Sequence, residues 1–372
     1  MDEVAVLKIT DIKMHIFELE TPGYVTSFSG LFKEDRPFNF KYSLVRVLTD
    51  EGIEGDYIVW SEIPSARPDS LAETLRAFKP YLVGEDPLNR EKIWQRLGGL
   101  WYGQKGPAFA AVDIALWDIA GKFADLPIYK LLGAYRDKIR AYASGNVPSD
   151  VEEITRIAAE LKRRGYTAMK LHPVPIEACE PLREQVGDEV HLMYDAVFSH
   201  SREEALKVGR ELERLGYYWY EAPLPANDIE GYIKLSRALD IPVTVELLHS
   251  TDYFEYIRRE AVDLLRTMCG FTGGITEMRK VASLCEGFGM NWEPHTYGGT
   301  LYQAANLHAI LATRNCAFFE LPTENGREGC FDVGTKDLIR IDEKGYVHAP
   351  QKPGLGIDID WQQVEKGTEV PL

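Results

Sequence analysis

The sequence predicts an α/β chain in two parts: a closed barrel of parallel strands and helices, and a smaller α+β module that rides on it. Three observations lead there. From about residue 138 to residue 321, eight short apolar runs alternate with amphipathic stretches of helical spacing, the rhythm that parallel βα units produce. Eight strands over about 185 residues suffice to close a ring rather than an open sheet. The 372 residues also exceed the roughly 250–300 at which a single core stops growing, so about 100 residues belong elsewhere.

The first 60 residues read as strands. Residues 6–20 (VLKITDIKMHIFELE) alternate, and residues 42–48 (YSLVRVL) followed by Asp50-Glu51-Gly52 form a hairpin arm and its turn. Between them, residues 21–40 are rich in Gly, Ser, Pro and aromatics, and a loop of that length is more often a functional lid than a passive connector. From residue 69 to 133 the signals turn helical. In residues 110–123, Val112, Leu116, Ile119 and Phe123 recur at three- and four-residue spacing, a helical signal. The barrel strands are then IRAYASG, AMKLHP, HLMYDAV, YYWYEAP, PVTVELL, VDLLRTM, MNWEPH and AFFELP. Ser201 and Glu204 have capping-box spacing before Ala205, Val208 and Leu212. After Leu321 the rhythm stops, and the turn-rich tail through PGLGIDIDW is expected to pack back on the N-terminal module. The expected division is a module of residues 1–135, joined by 323–372, docked rigidly on a barrel of residues 136–322.

Composition narrows the function. Hydrophobic residues at 45% and charged residues at 27% exclude collagen-like, disordered and coiled-coil chains. Lys and Arg number 42 against 58 Asp and Glu, a net charge of −16, which repels phosphate backbones and anionic lipid. No nucleic-acid or membrane partner is expected, whereas a small anionic substrate is compatible because the local field decides its binding. No run of 18 apolar residues occurs, and the start MDEVAVLKITD is acidic, unlike a signal peptide. Cys179, Cys269, Cys285, Cys316 and Cys330 are odd in number and lack CxxC spacing, which argues against a disulfide framework or zinc knuckle. A cytoplasmic enzyme or binding protein is expected.

In such barrels chemistry sits at the C-terminal strand ends. Strand two ends in Lys170 and His172, whose alternation puts both on the face toward the mouth. Strand three ends in Asp195, strand four in Glu221, strand five in Glu246, strand seven in His295 and strand eight in Glu320. Three carboxylates on successive strands converge and would repel one another unless protonated or neutralised. A hard divalent cation removes that cost, and all-oxygen ligation selects magnesium, with manganese as the alternative. His15, His191, His200 and His308 fall at positions without such convergence, and His249 lies three residues past Glu246.

Together these segments resemble the enolase superfamily, specifically its mandelate racemase/muconate lactonizing enzyme-like family with a Lys-x-His motif on strand two. The resemblance is carried by AAVDIALWDIAGK, LPIYKLLGAYRDK, YDA, WYEAPL, VTVELL, TGGITEMRKVA, PHTYGG and PGLGIDID, and it covers nearly the whole chain. It implies a modified TIM barrel, (β/α)7β, with an N-terminal α+β capping domain completed by the C-terminal tail. It implies Asp195, Glu221 and Glu246 as magnesium ligands, Lys170 and His172 as the strand-two pair, His295 as general base or acid on the opposite face, and Glu320 as an aid to the substrate carboxylate. Dimers or octamers are common in the superfamily, so a homo-oligomer is expected.

The chemistry so implied starts from a proton α to a carboxylate, too weakly acidic to leave unaided at neutral pH. A bound cation stabilises the enediolate, and a base must reach the α-carbon. Lysine serves only with a lowered pKa, whereas histidine needs little tuning; either Lys170 or His172 could be that base. Two positions depart from the family pattern. Met268 stands where an Asp would hold the strand-seven histidine, and Val197 stands where Asn is frequent. A thioether cannot anchor an imidazolium, so His295 should be less basic and the chemistry one-sided. The expected reaction is dehydration of a sugar acid to a 2-keto-3-deoxy acid. The alternatives are a sugar-acid lactone cycloisomerase, a racemase or epimerase of a hydroxy acid, and a degenerate barrel that binds metal and acid without turnover. Substrate contacts are expected from Tyr24, Phe32, Arg36, Tyr57 and Tyr297, with Phe28, Phe38, Trp101, Tyr102 and Gln104 near the cap–barrel junction.

Overall fold

The computed structural model describes residues 7–21, 38–60, 64–100, 105–172, 174–247, 250–323, 326–329 and 331–372. The chain opens with an antiparallel meander of β1 (Ile9–Thr21), β2 (Phe38–Thr49) and β3 (Glu54–Trp60). The turn at Asp50-Glu51-Gly52 is present, with Gly52 at φ 74° supplying the left-handed position. The hairpin arms run further than the alternation indicates: Thr21 pairs with Phe38. Four residues expected in the 21–40 loop, Thr21 and Phe38 to Phe40, are therefore strand; the remainder of that segment lies outside the described residues.

Three helices follow, α1 (Pro68–Leu82), α2 (Arg90–Leu100) and α3 (Pro107–Phe123), then the short α4 (Ile128–Leu131). The helical spacing read over residues 110–123 is a helix, and it is buried on nearly every side. Every residue from Pro107 to Gly121 is buried, while Phe123 is 53% exposed. The cause is location: α3 is sandwiched between β3 of the meander and a barrel helix. A helix wrapped on all sides has no polar face. Two buried acids anchor it: Asp113 accepts from the Thr276 N–H at 3.0 Å, and Asp118 accepts from the Asp56 and Leu355 N–H groups at 3.1 and 2.7 Å and pairs with Lys122 at 2.7 Å.

The barrel consists of β4 (Lys138–Asn146), α5 (Val151–Arg163), β5 (Ala168–His172), α6 (Ile176–Val186), β6 (His191–Asp195), α7 (Arg202–Arg214), β7 (Trp219–Glu221), α8 (Ile229–Ala238), β8 (Val243–Glu246), α9 (Ser250–Arg258), β9 (Leu264–Arg266), α10 (Gly274–Gly287), β10 (Asn291–Trp292), α11 (Thr300–Leu311) and β11 (Phe319–Pro322). Seven strand–helix units and a closing strand make a (β/α)7β arrangement, a curled parallel sheet in the order β10-β9-β8-β7-β6-β5-β4-β11. Local signals start the helices: Asp150 caps α5, Asp228 caps α8, and Ser201 with Glu204 forms the full capping box of α7. All eight apolar runs are strands, although MNWEPH contributes only Asn291 and Trp292.

No strand ladder joins β10 to β11 among the described residues. The seam is bridged instead by the Trp292 N–H donating to the Asn315 carbonyl at 2.7 Å and by the Glu293 carboxylate, which accepts from Ala317 and Phe318 N–H at 2.7 and 3.2 Å. Burial pushes the Glu293 carboxyl up to about 7. The tail touches both parts. β12 (Tyr346–His348) runs antiparallel to β4, and β13 (Thr368–Val370) pairs antiparallel with β1 at the edge of the meander. No helix among the described residues is long and apolar enough to cross a membrane. Cys179, Cys269, Cys285 and Cys316 are buried free thiols, and Cys330 lies outside the described residues.

Candidate active site

Strand register gathers the acids. Asp195 on β6 is level with Glu221 on β7, and Glu246 on β8 is level with Arg266 on β9. Into this group Lys170 points from β5, with Nζ 2.9 Å from Glu221 Oε2, 3.3 Å from Asp195 Oδ2 and 3.2 Å from Glu320 Oε1. Glu320 is further held by the Ser144 hydroxyl at 2.6 Å and the Thr296 N–H at 2.9 Å. The backbone just past two of the acids is left-handed without glycine: Val197 has φ 48°, Phe198 60° and Ala222 44°. Such conformations cost free energy and persist where the surroundings over-determine them. Here the Val197 N–H donates to Asp195 Oδ1 at 2.9 Å and locks that carboxylate's orientation.

The sequence reading missed Arg266. Its guanidinium is fully buried, with Nε 2.8 Å from Glu221 Oε1, and Nη2 2.8 Å from Glu320 Oε2 and 3.4 Å from Glu246 Oε1. Nη1 donates to the Tyr142 hydroxyl at 3.0 Å and the Glu293 carbonyl at 3.2 Å. Four carboxyl groups thus share two cations. They are not evenly satisfied. Glu221 Oε1 meets Arg266 as an ion pair without an aligned hydrogen bond, and the Arg266 nitrogens approach Glu246 only to 3.4 Å. Hard oxygen donors that outnumber the cations among them fit a divalent cation chemically. Among the described residues, however, no three acids, histidines or cysteines are grouped as a ready ligand set; the acids are partnered by Lys170 and Arg266.

Burial and the charge of Arg266 oppose an ionised Lys170, yet Glu221 and Glu320 outweigh them and hold its ammonium well above the usual lysine range. His172 is the opposite case: burial pushes it below the ordinary histidine value against the pull of Asp195. Burial would raise Glu320, but Lys170, Arg266 and His295 hold its carboxyl well below the usual range. Glu246 is driven well up by burial and by the neighbouring Glu221.

The His172 and His295 rings both neighbour Tyr297, with ring centroids 6.3 and 6.2 Å from it, and the Tyr297 hydroxyl accepts from Asn146 Nδ2 at 3.2 Å. With Met268 in place of a carboxylate, the partner of His295 is Tyr302. The Tyr302 hydroxyl donates to the His295 carbonyl at 2.7 Å and sits 3.1 Å from His295 Nδ1. Its single hydrogen is committed to the carbonyl, so Nδ1–H donates to the tyrosine oxygen, and Nε2 is the nitrogen 3.8 Å from Glu246 Oε1. Burial pushes His295 down to about 3. The imidazole is held by a partner that a reading confined to strand ends could not reveal.

Tyr57 is buried at the cap–barrel junction, where it and Tyr302 line a small cavity of about 20 Å³ with Gly270 and Gly298. A larger cavity of about 700 Å³ opens beside Glu246 and Met268, walled by Phe198, Pro225, Leu247 and Tyr256. Tyr24, Phe28, Phe32, Arg36, Trp101, Tyr102, Gln104 and His249 lie outside the described residues, and Phe38 is described only as part of β2. His308 stands apart from the site, joining α11 to the Tyr129 N–H and the Leu355 carbonyl, each at 3.1 Å.

Comparison with known proteins agrees with this fold. A family model described as enolase C-terminal domain-like matches residues 153–364, and one described as mandelate racemase/muconate lactonizing enzyme, N-terminal domain, matches residues 38–133. Arabinonate dehydratase of Saccharolobus solfataricus is 33% identical over 78% of this chain and 82% of its own. D-galactarolactone cycloisomerase of Agrobacterium fabrum is 31% identical over 95% of this chain and 97% of its own. The crystal structure of D-glucarate dehydratase from Agrobacterium tumefaciens complexed with magnesium superposes with a TM-score of 0.84 at 33% identity, covering 98% of this chain and 99% of that one.

Proposed function

The chain belongs to the mandelate racemase/muconate lactonizing enzyme family of the enolase superfamily, and from that membership we propose that it dehydrates a sugar acid to a 2-keto-3-deoxy acid. The observation that carries this reading is the placement of two histidines beside Tyr297 together with a buried array of four carboxyl groups and two cations. Asp195, Glu221 and Glu246 would hold magnesium, or manganese in its place. When bound, that ion supplies a fixed positive charge that acidifies the α-proton of a coordinated carboxylate.

The chain's own groups do the rest. Lys170, held as an ammonium by Glu221 and Glu320, offers its charge to the substrate carboxylate. His172 accepts the α-proton. The electron pair of the broken C–H bond forms the C=C bond of an enol, and the β-hydroxyl leaves with a proton as water. The enol then tautomerises to the 2-keto product. His295 faces the other side and can give that proton from Nε2 only as an imidazolium. Burial opposes that form while Glu320 favours it, and an anionic substrate beside the ring adds to the favourable side. The cavity of about 700 Å³ beside Glu246 is of a size that suits a small polyhydroxy acid.

A lactone cycloisomerase is the second reading, favoured by the match to D-galactarolactone cycloisomerase over 95% of the chain. It needs the same base and acid, but the group that leaves the β-carbon is the lactone ring oxygen, so its keto-acid product is an isomer of the substrate. Incubating the protein with a panel of mono- and di-acid sugars and their lactones, with and without chelator, separates the two by product mass. Chelator-sensitive release of a keto acid one water lighter than an open-chain substrate supports dehydration. A keto acid of the same mass as a lactone substrate, with ring opening seen by NMR, supports cycloisomerisation. Thermal stabilisation by magnesium and acids without turnover defeats both and leaves a binding protein.

A further inference from the structure

Arg266 faces carboxylate oxygens that a hard cation would have to use. Its Nε lies 2.8 Å from Glu221 Oε1 and its Nη2 3.4 Å from Glu246 Oε1, while Nη2 also pairs with Glu320 Oε2 at 2.8 Å. One guanidinium therefore serves three acids, two of them expected metal ligands, with no water to share the load because the group is fully buried. The remaining donor face is fixed by Tyr142 and the Glu293 carbonyl, at 3.0 and 3.2 Å, which anchors the arginine to the barrel wall. A carboxylate oxygen engaged by a buried guanidinium and the same oxygen coordinating a dication are competing states.

We infer that Arg266 is a resident competitor of the divalent cation: it takes Glu221 and Glu246 as partners in the metal-free barrel, yields them when the cation enters, and so sets the cation's affinity while keeping the empty barrel folded. The inference rests on the metal reading above. Its sign follows from charge. Without Arg266, four buried acids would face Lys170 alone in the empty state, which raises that state's free energy. In the loaded state, the dication would lose a like-charged neighbour, which lowers that state's free energy. Both changes tighten metal binding. A residue that merely held the ligands in position would act in the opposite direction, because its loss would loosen them.

The test uses the full chain stripped with chelator and titrated with Mg²⁺ by calorimetry and with Mn²⁺ by electron paramagnetic resonance. Arg266→Gln should bind either ion about tenfold more tightly than the unsubstituted protein. Its metal-free form should melt at lower temperature, and its gain in Tm on adding Mg²⁺ should be larger. Arg266→Lys, which keeps the charge, should stay within about threefold of the native affinity. Should Arg266→Gln fold only with metal present, that outcome also supports competition. In the unsubstituted protein, the Arg266 Nε–H resonance, assigned by its loss in Arg266→Lys, should shift and lose protection as Mg²⁺ is added. Binding by the native protein that Arg266→Gln leaves unchanged or weakens overturns this inference alone, as does an Nε–H signal indifferent to Mg²⁺. Absence of any Mg²⁺ or Mn²⁺ binding to the native protein overturns the metal reading with it.

Discussion

Replacing Tyr302 by phenylalanine removes one oxygen atom, and two hydrogen bonds go with it. The hydroxyl donates to the His295 carbonyl at 2.7 Å and accepts from His295 Nδ1–H across 3.1 Å. The ring itself keeps its packing, including the edge-on contact with Phe271 at 6.2 Å. In the native protein the Nδ1–H tautomer is favoured because the alternative would point a nitrogen lone pair at an oxygen with no hydrogen to give. In Tyr302→Phe that preference disappears, and Nδ1–H becomes a buried donor without an acceptor, a loss of about 1–3 kcal/mol. At 1.4 kcal/mol per factor of ten, the population with Nε2 ready to exchange a proton with substrate should fall by about ten- to a hundredfold. The expected result is a kcat lower by about that factor, with KM within about twofold because the substrate carboxylate is held elsewhere. Steady-state kinetics on the substrate found by the acid panel gives the split, and ¹⁵N spectra of the histidine-labelled protein report the tautomer directly. A kcat within twofold of native, or unchanged His295 nitrogen shifts, would refute the assignment of Tyr302 as the positioning residue.

Three further predictions concern the scaffold. Asp118→Ala strands two buried N–H groups, those of Asp56 and Leu355, at about 1–3 kcal/mol each; a urea titration should show a loss of about 2–5 kcal/mol, and a loss below about 1 kcal/mol contradicts the role given to this carboxylate. Gly145→Ala would place a Cβ 1.3 Å from the Thr323 carbonyl oxygen, backbone against backbone, so soluble folded protein should be scarce. Gly99→Ala, on α2 with nothing within 4 Å, should instead raise stability by about 0.5–1 kcal/mol, and equal circular-dichroism melts for the two variants would contradict both. Burial pushes His308 from 6.5 down to about 4, below its value in the unfolded chain, so the unfolded state takes up the proton first on acidification. The resulting stability is complete above pH 6.5 and is lost between pH 6.5 and 4, by up to about 3 kcal/mol; an NMR titration of His308 near 6.5 in the folded protein would contradict it.

The barrel could be read from the sequence because its physics is local. An apolar run of strand length followed by a cap such as Ser201 with Glu204 specifies a βα unit without reference to anything distant. The acids were legible for the same reason, since each closes its own strand. What escaped depends on neighbours far along the chain. The all-round burial of α3 arises from being clasped between β3 and the barrel helix α10, which no periodicity within the helix can signal. The seam between β10 and β11 is held by the Glu293 side chain reaching to Ala317 and Phe318. Arg266 did leave a trace that could have been used. An arginine inside the apolar run VDLLRTM, level with Glu246 across the sheet, is a buried charge that demands partners. Tyr302 left none, because the first turn of α11 and the end of the seventh barrel strand meet only once the loop 296–299 is folded.

The unequal surroundings of the two histidines bear on the stereochemistry. A racemase needs two bases of comparable strength, one on each face of the α-carbon, each able to become an acid for the reverse step. Burial pushes His172 below the ordinary histidine value too, but less far, because Asp195 beside it favours its imidazolium and the residue is partly exposed. His295 is buried, pressed down to about 3, and anchored through a neutral tyrosine oxygen rather than a carboxylate. A hydroxyl fixes a tautomer as well as a carboxylate does, but it contributes no negative charge to an imidazolium. His295 is therefore oriented but not made basic, and abstraction from its side is slow by comparison. That asymmetry suits elimination, in which one side takes a proton and the other helps a group depart. Run in deuterium oxide, the reaction should exchange the α-proton of only one epimer of the substrate. Equal wash-in for both epimers would mean that His295 is as competent a base as His172, and the tyrosine-for-carboxylate reasoning would fail with it.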